Sequence, residues 1–134
     1  GNYRPRLWQS SGEAAAARNA AIAVANVGLP TLEDEAALSG KATPQEVAAD
    51  WASLGCGEVV VKLGADGCLL PDGSILPPPV RLDPVDTSGA GDAFNGGYLA
   101  ARLRGANPRE AALAGHELAG WCVMRRGAIP AADR

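Results

Sequence analysis

The run Asp86-Thr87-Ser88-Gly89-Ala90-Gly91-Asp92-Ala93-Phe94 decides how the rest of this chain is read. Its small residues let the backbone turn tightly and bring successive N–H groups to one point where a helix begins. Such a point is an anion site, because the first amides of a helix have no intrahelical acceptor and the positive end of the dipole lies there. Asp92 falls in the first helical turn, where the dipole favours a carboxylate and where that carboxylate could accept a hydrogen bond from a hydroxyl. The loop is not a Walker A motif, since no Gly-Lys-Ser/Thr follows at the required spacing, and it is not a dinucleotide-binding GxGxxG. Alone, Gly-Ala-Gly is equally the turn of an ordinary strand-to-helix connection. A carboxylate beside a phosphate cradle points instead to phosphoryl transfer.

Working outward, the residues after the loop predict a helix from Gly91 to Arg104 and another opened by Asn107-Pro108, with Ala111, Leu118, Trp121 and Cys122 as its buried stripe down to Gly127. Before the loop, Pro77-Pro78-Pro79 marks a connector, because proline cannot sit inside a sheet. Val59-Val60-Val61-Lys62-Leu63 has the β-branched composition of a central strand covered on both faces. Gly64-Ala65-Asp66-Gly67 is a turn, Cys68-Leu69-Leu70 a strand, Pro71-Asp72-Gly73 a second turn, and Ile75-Leu76 its return. Nearer the start, an Ala-rich helix is expected from Ser11 to Ala25 with Ser10, Ser11 or Gly12 at its cap, then a short strand at Val27-Gly28-Leu29. Thr31 is expected to cap a helix from Leu32 to Leu38 stopped by Gly40, and Thr43-Pro44 to open a third helix with Val47, Trp51 and Leu54 on one face. Helices alternating with short apolar strands are the pattern of an α/β fold with a parallel sheet.

The whole signature run resembles that of the ribokinase-like carbohydrate kinases, the pfkB family. In that family the aspartate after Gly-Ala-Gly takes the proton from the sugar hydroxyl, and the amides before it stabilise the transferred phosphoryl group. The resemblance implies these roles for Asp92 and for Gly89, Ala90 and Gly91. It implies that Asp86 and Thr87 shape the loop, with contact to phosphate or to a monovalent cation such as K+. Val59 to Gly67 looks like the family's strand and Gly-x-x-Gly turn over the nucleotide, which implies Lys62, Gly64, Gly67 and Thr87 near ATP. The same glycines are otherwise a plain hairpin turn. Leu29 to Gly40 resembles the family segment Asn-x-x-Glu before a Leu and a Gly. Counting back from Leu38 and Gly40 puts Thr31 at the Asn position and Asp34 at the Glu position. The implied role is ordering Mg2+, by Asp34 first and Glu35 second, since oxygen ligands suit a hard cation. The other reading is an acidic first helical turn.

The opening Asn2-Tyr3-Arg4-Pro5-Arg6-Leu7-Trp8 is similar to the Asn-x-Arg-x-x-Leu-Trp stretch of 2-keto-3-deoxygluconate kinases. It implies that Arg4 meets an acid sugar or phosphate, which a guanidinium can hold in bidentate fashion. The other reading is a surface Arg beside a packed Trp8. Ala114 to Trp121 and Arg126 to Ile129 match the same subfamily, placing His116 near the adenine, although a lone helical His is otherwise structural.

Taken together, the resemblance implies that residues 1–134 are the C-terminal nucleotide-binding and catalytic part of one ribokinase-like domain. The expected fold is a three-layer α/β/α arrangement with a mostly parallel sheet, incomplete because the N-terminal half is absent. The expected activity is ATP- and Mg2+-dependent phosphorylation of a primary hydroxyl, on 2-keto-3-deoxygluconate to give its 6-phosphate. The alternatives are another sugar such as fructose or ribose, and a truncated ATP-binding module without catalysis. A homodimer through the missing lid is a further implication, and this stretch alone is expected to lack part of the acceptor site. A start at Gly1 without Met reads as a piece of a longer chain.

The bulk numbers agree. With 134 residues and 47% apolar content the chain can bury a core. Twelve basic and 15 acidic side chains, scattered in both signs, give a net charge of −3 and no basic patch for nucleic acid. Cys56, Cys68 and Cys122 form neither a disulfide framework nor a CxxC pair, which fits a reducing cytoplasm and buried thiols. No apolar run approaches the roughly 20 residues of a membrane span.

Overall fold

A computed structural model describes residues 2–132. It divides into two compact units: residues 1–63 with 68–75, and residues 64–67 with 76–134.

The first unit opens on a 3-10 turn, Pro5–Leu7, and then α1, Ser11–Ala23, which is capped by the Ser10 hydroxyl accepting the Glu13 N–H. β1, Val27–Gly28, leads to α2, Leu32–Ser39, and α3, Pro44–Ser53. Thr43 and Glu46 form a reciprocal capping box at α3 with Pro44 in its first turn, as the Thr-Pro pair predicts. Gly40 ends α2 at φ 73, in the left-handed region glycine tolerates. Thr31 does hold the N-cap position of α2, but its side chain makes no capping bond.

The expected continuous strand at 59–63 is divided. β2, Glu58–Val59, pairs in parallel with β1, and β3, Val61–Lys62, pairs antiparallel with β4, Cys68–Leu69. The parallel ladder nevertheless runs on. N–H groups of Glu58, Val60 and Lys62 donate to the carbonyls of Asn26, Gly28 and Pro30 at 2.9, 3.0 and 2.8 Å. β5, Ile75–Leu76, follows a turn at 71–73 and stands next to β4 in the order β3-β4-β5. A mostly parallel sheet is therefore not what these residues build. One short parallel pair and a hairpin-like set share the Glu58–Lys62 run, because the tight Gly64–Gly67 turn folds the chain straight back beside β3.

Val59, Val60 and Val61 are all buried, as a strand covered on both faces requires. Around them Ile22, Val47, Trp51, Cys56 and Leu69 form the core of this unit. Gly28 is demanded by that packing: a Cβ there would overlap the Trp51 indole and lie 3.0 Å from Cys56 Sγ. All three cysteines are buried thiols outside any disulfide, and burial pushes the Cys68 thiol up to about 11.

In the second unit α4, Ala90–Leu103, packs along α5, Pro108–Val123. Asn107 and Glu110 form another capping box. The two helices approach through glycine: a Cβ on Gly97 would lie 2.7 Å from the Ala114 carbonyl, and one on Gly115 would lie 2.9 Å from the Phe94 ring. This close crossing selects Ala111, Ala112, Gly115 and Cys122 as the buried face of α5. Leu118 is consequently 40% exposed and Trp121 only half-buried, with Arg125 stacked 4.3 Å over its ring, so neither belongs to the core as expected. Val80 to Leu82 forms no strand. Among the described residues no helix is long and apolar enough to cross a membrane.

Candidate active site

The signature loop is held from behind by the last turn of α5 and the segment that follows it. N–H groups of Val85 and Asp86 both donate to the Val123 carbonyl, at 2.8 and 3.1 Å. The Asp86 carboxylate accepts the Ser88 N–H through Oδ1 at 2.9 Å and the Gly127 N–H through Oδ2 at 2.9 Å. These backbone bonds, Gly127 before Ser88, hold its carboxyl down to about 2. Gly89 is the N-cap of α4 at φ 76, and a Cβ there would overlap the Ala128 carbonyl and lie 2.9 Å from Ala128 Cα. Only glycine fits that position, both for its backbone angle and for its neighbour. Cys122 Sγ faces the carbonyls of Ser88 and Ala128 at 3.6 and 3.9 Å, closing the back of the loop.

From this base α4 starts abruptly. The Ala90 N–H closes the turn on the Thr87 carbonyl at 3.3 Å, and the Ala93 N–H donates to the Gly89 carbonyl at 2.9 Å. Of the three amides expected to cradle an anion, Ala90's thus also serves the turn. Asp92 stands in the first turn of α4, exposed. Thr87 and Gly91 are exposed as well. The loop therefore offers a helix N-terminus and an accessible carboxylate on a rigidly clamped backbone, which is the chemistry of positioning an anion beside a hydroxyl.

The two glycines of the Gly-x-x-Gly turn do different work. Gly67, at φ 99, packs so closely on the Leu76–Pro77 backbone that a Cβ would lie 2.7 Å from Pro77 Cα. Gly64, at φ 61, faces open space, with nothing within 4 Å of the Cβ position. Leu76 also receives His116. Burial lowers the His116 pKa, a hydrogen bond to the Leu76 backbone opposes the shift, and the ring meets Phe94 edge-on at 5.1 Å. His116 is thus half-buried and ties α5 to α4 and to Leu76 at the end of β5.

The loop, the Gly64–Gly67 turn and His116 belong to one compact unit; Lys62, Arg4, Asp34 and Glu35 belong to the other. Lys62 is buried in β3. Arg4 is exposed, immediately before the 3-10 turn, and Trp8 beside it is 38% exposed rather than packed. Asp34 is partly exposed in the first turn of α2.

Glu35 is 4% exposed, and Arg18 engages both its oxygens: Nε donates to Oε1 at 3.2 Å and to Oε2 at 3.0 Å, and a terminal N–H also reaches Oε2. The same guanidinium donates to Asp50 at 2.7 Å and lies 5.7 Å over the Trp51 ring. Burial disfavours the charged Arg18, yet the bonds to Glu35 and Asp50 outweigh it and raise its pKa. Sequence reading did not reach this network; its one signal is a lone Arg in the Ala-rich run Ala14 to Ala23. Among the described residues no group of three or more His, Cys, Asp or Glu converges as a metal cage. A magnesium ion held by one carboxylate together with substrate phosphates needs none.

With this geometry in view, the sequence match is decisive: the chain belongs to the pfkB family of carbohydrate kinases, whose pattern covers residues 1–134. It is 41% identical over 134 residues to the 2-dehydro-3-deoxygluconokinase of Escherichia coli K12, and 40% identical to that of Dickeya dadantii. Each match takes in 96% of this chain and 43% of the relative, so the chain spans less than half the length of the curated relatives it resembles. The Salmonella enterica aminoimidazole riboside kinase, solved with aminoimidazole riboside and an ATP analogue, superposes with a TM-score of 0.84 at 32% identity over 95% of this chain and 45% of that one. The fold is thus ribokinase-like, in a mixed α/β form with small sheets.

Proposed function

We propose that this chain is the nucleotide-binding and catalytic part, residues 1–134, of an ATP-dependent sugar kinase acting on 2-keto-3-deoxygluconate. The observation that carries the reading is the clamped loop: Asp92 exposed in the first turn of α4, three residues after a Gly89 that no other residue could replace. Asp92 accepts the proton of the 6-hydroxyl as that oxygen attacks the γ-phosphorus of ATP. The bond from the γ-phosphorus to the bridging oxygen breaks, and ADP and the 6-phosphate of the sugar acid leave. Amides at Gly89, Ala90 and Gly91 stabilise charge on the transferred group, whose transition state is mainly a matter of position and electrostatics.

The candidates for nucleotide contact are Gly64, Gly67, Thr87 and His116 in the second unit and, separately, Lys62 in the first. Gly64 suits that contact best, because its turn leaves room for backbone approach. Mg2+ would neutralise charge between the phosphates, ordered by Asp34; Glu35, both of whose oxygens serve Arg18, is the weaker of the two candidates. Arg4, exposed near the start, is available to a sugar carboxylate. A monovalent cation such as K+ beside the loop belongs to the same reading, supported by the fructokinase of Vibrio cholerae solved with ADP and potassium. So do a cytoplasmic setting, a three-layer α/β/α sheet in the intact fold and a lid-mediated homodimer.

The test is ATP-dependent phosphorylation by the intact protein offered 2-keto-3-deoxygluconate, fructose, ribose and gluconate, with product detected directly. Preference for the keto-deoxy acid supports the acceptor and Arg4. Transfer to a neutral sugar keeps Asp92 and discards the acid-sugar assignment. Binding of ATP without transfer to any acceptor overturns the kinase reading.

A further inference from the structure

We propose that Arg18 is a positioning residue for the magnesium site: by holding Glu35, it sets the rotation of α2 that presents the neighbouring Asp34. The inference rests on the reading of Asp34 as the metal-ordering carboxylate and adds a residue to it. Adjacent side chains leave a helix about 100° apart, so fixing one fixes the direction of the next. In α2 the fixed one is Glu35. Its carboxylate takes two Nε contacts from Arg18, and its backbone is tied at both ends, the N–H to the Thr31 carbonyl at 3.1 Å and the carbonyl to the Ser39 hydroxyl at 2.8 Å.

Two features make Arg18 the controlling partner. The α2 helix has only eight residues and no side-chain cap at Thr31; its start is held by the Thr31–Lys62 bridge and by Leu32 against the core, and Glu35 is the ionic tie of its first turn. The guanidinium also reaches Asp50 on α3, so one side chain ties α1, α2 and α3 together. Its side chain is 10% exposed and that of Glu35 is 6% exposed, so water does not substitute for the pair. Glu35 is thereby withdrawn from the metal while Asp34, one residue earlier, stays partly exposed. A group bonded directly to a metal ligand typically changes metal affinity by about 10–100-fold when removed; Arg18, which bonds the residue next to Asp34, is expected to act at the lower end of that range.

The test measures Mn2+ binding to the intact protein with a non-hydrolysable ATP analogue, read from the loss of the free Mn2+ resonance signal. Thermal unfolding is followed in parallel. Arg18→Met is expected to raise the apparent Mn2+ dissociation constant by about tenfold while nucleotide analogue binding without metal is retained. Arg18→Lys, which keeps the charge but cannot hold two carboxylates in the same fork, should fall between the two. Asp50→Asn, which leaves the Arg18–Glu35 pair in place, serves should Arg18→Met fail to fold, and is expected to shift Mn2+ binding in the same direction by less. Lower melting temperatures with Mn2+ binding unmoved in every variant would make Arg18 structural only and overturn the proposal. Asp34→Asn separates the two ideas: if it too leaves Mn2+ binding unmoved, the assignment of Asp34 fails first.

Discussion

Asp86 and Gly127 lie 41 positions apart in sequence and meet through a 2.9 Å bond from the glycine N–H to Oδ2 of the carboxylate. With the Ser88 N–H on the other oxygen, this aspartate joins the loop before α4 to the segment after α5. Its carboxyl is depressed from 3.8 to about 2. A depressed carboxyl contributes stability that is complete above the unfolded value and is lost as pH falls through the folded one. The clamp should therefore be complete above pH 3.8 and released only toward pH 2. In an NMR titration, the Gly127 amide shift is expected to move with a midpoint near 2. A midpoint near 3.8 would mean that the bond does not form in solution. It also follows that an activity change at neutral or mildly acidic pH does not come from Asp86.

Asp92 has no comparable structural task among the contacts described, being exposed in the first turn of α4. Asp92→Asn keeps the size of the side chain and removes its basicity. In the intact protein we expect ATP binding and melting temperature to stay near the parent, while kcat falls by about 100-fold or more, the usual contribution of a positioned base. Unchanged turnover would remove Asp92 from the base role.

The Gly-x-x-Gly turn can be separated into its packing and its binding parts. Gly67→Ala forces a methyl into the Leu76–Pro77 backbone and should lower stability by roughly 1–3 kcal/mol, the cost of overpacking, with the left-handed φ of 99 adding strain. Gly64→Ala meets no atom and carries only the strain of φ 61. Denaturant unfolding should thus separate the two variants. If the turn covers the nucleotide, Gly64→Ala is expected to raise KM for ATP with a smaller loss of stability. An unchanged KM would leave the turn a hairpin and nothing more.

How far the sequence could be read depended on the distance over which each feature is decided. Ser10, Thr43-Pro44, Asn107-Pro108 and Gly40 act within one turn of their own helices, and the caps and stops they imply are present. The α5 stripe was harder. Leu118 and Trp121 have helical spacing, but the close crossing at Gly97 and Gly115 turns the smallest residues inward instead. Strand character at Val59 to Lys62 was evident from β-branching, whereas the switch from a parallel to an antiparallel partner depends on the Gly64–Gly67 turn. The signature loop announced its own shape through Gly89. What holds it, Asp86 on Gly127 and Gly89 on Ala128, comes from residues brought together by two helices. The Arg18 network, with partners 17 and 32 positions away, shows locally only as a lone Arg in an Ala-rich run, which does not name its partners.

Gly28 gives a test of the first unit that is independent of any ligand. It lies in β1 beneath the Trp51 indole, and the ring occupies the space where a side chain would begin. Gly28→Ala must either displace Trp51, which is 8% exposed and carries Arg18 over its face, or bend β1 away from β2. Both routes disturb the core formed with Ile22, Val47 and Cys56. A loss of roughly 1–3 kcal/mol is expected in denaturant unfolding, the range for an extra methyl in a well-packed core. Trp51→Phe is shorter across the ring and removes the indole N–H, which has no hydrogen-bond partner in its buried position. Combined with Gly28→Ala it should recover part of the loss, because neighbouring substitutions that share one space are not additive. Strict additivity of the two would show that the glycine and the indole do not share that space in solution.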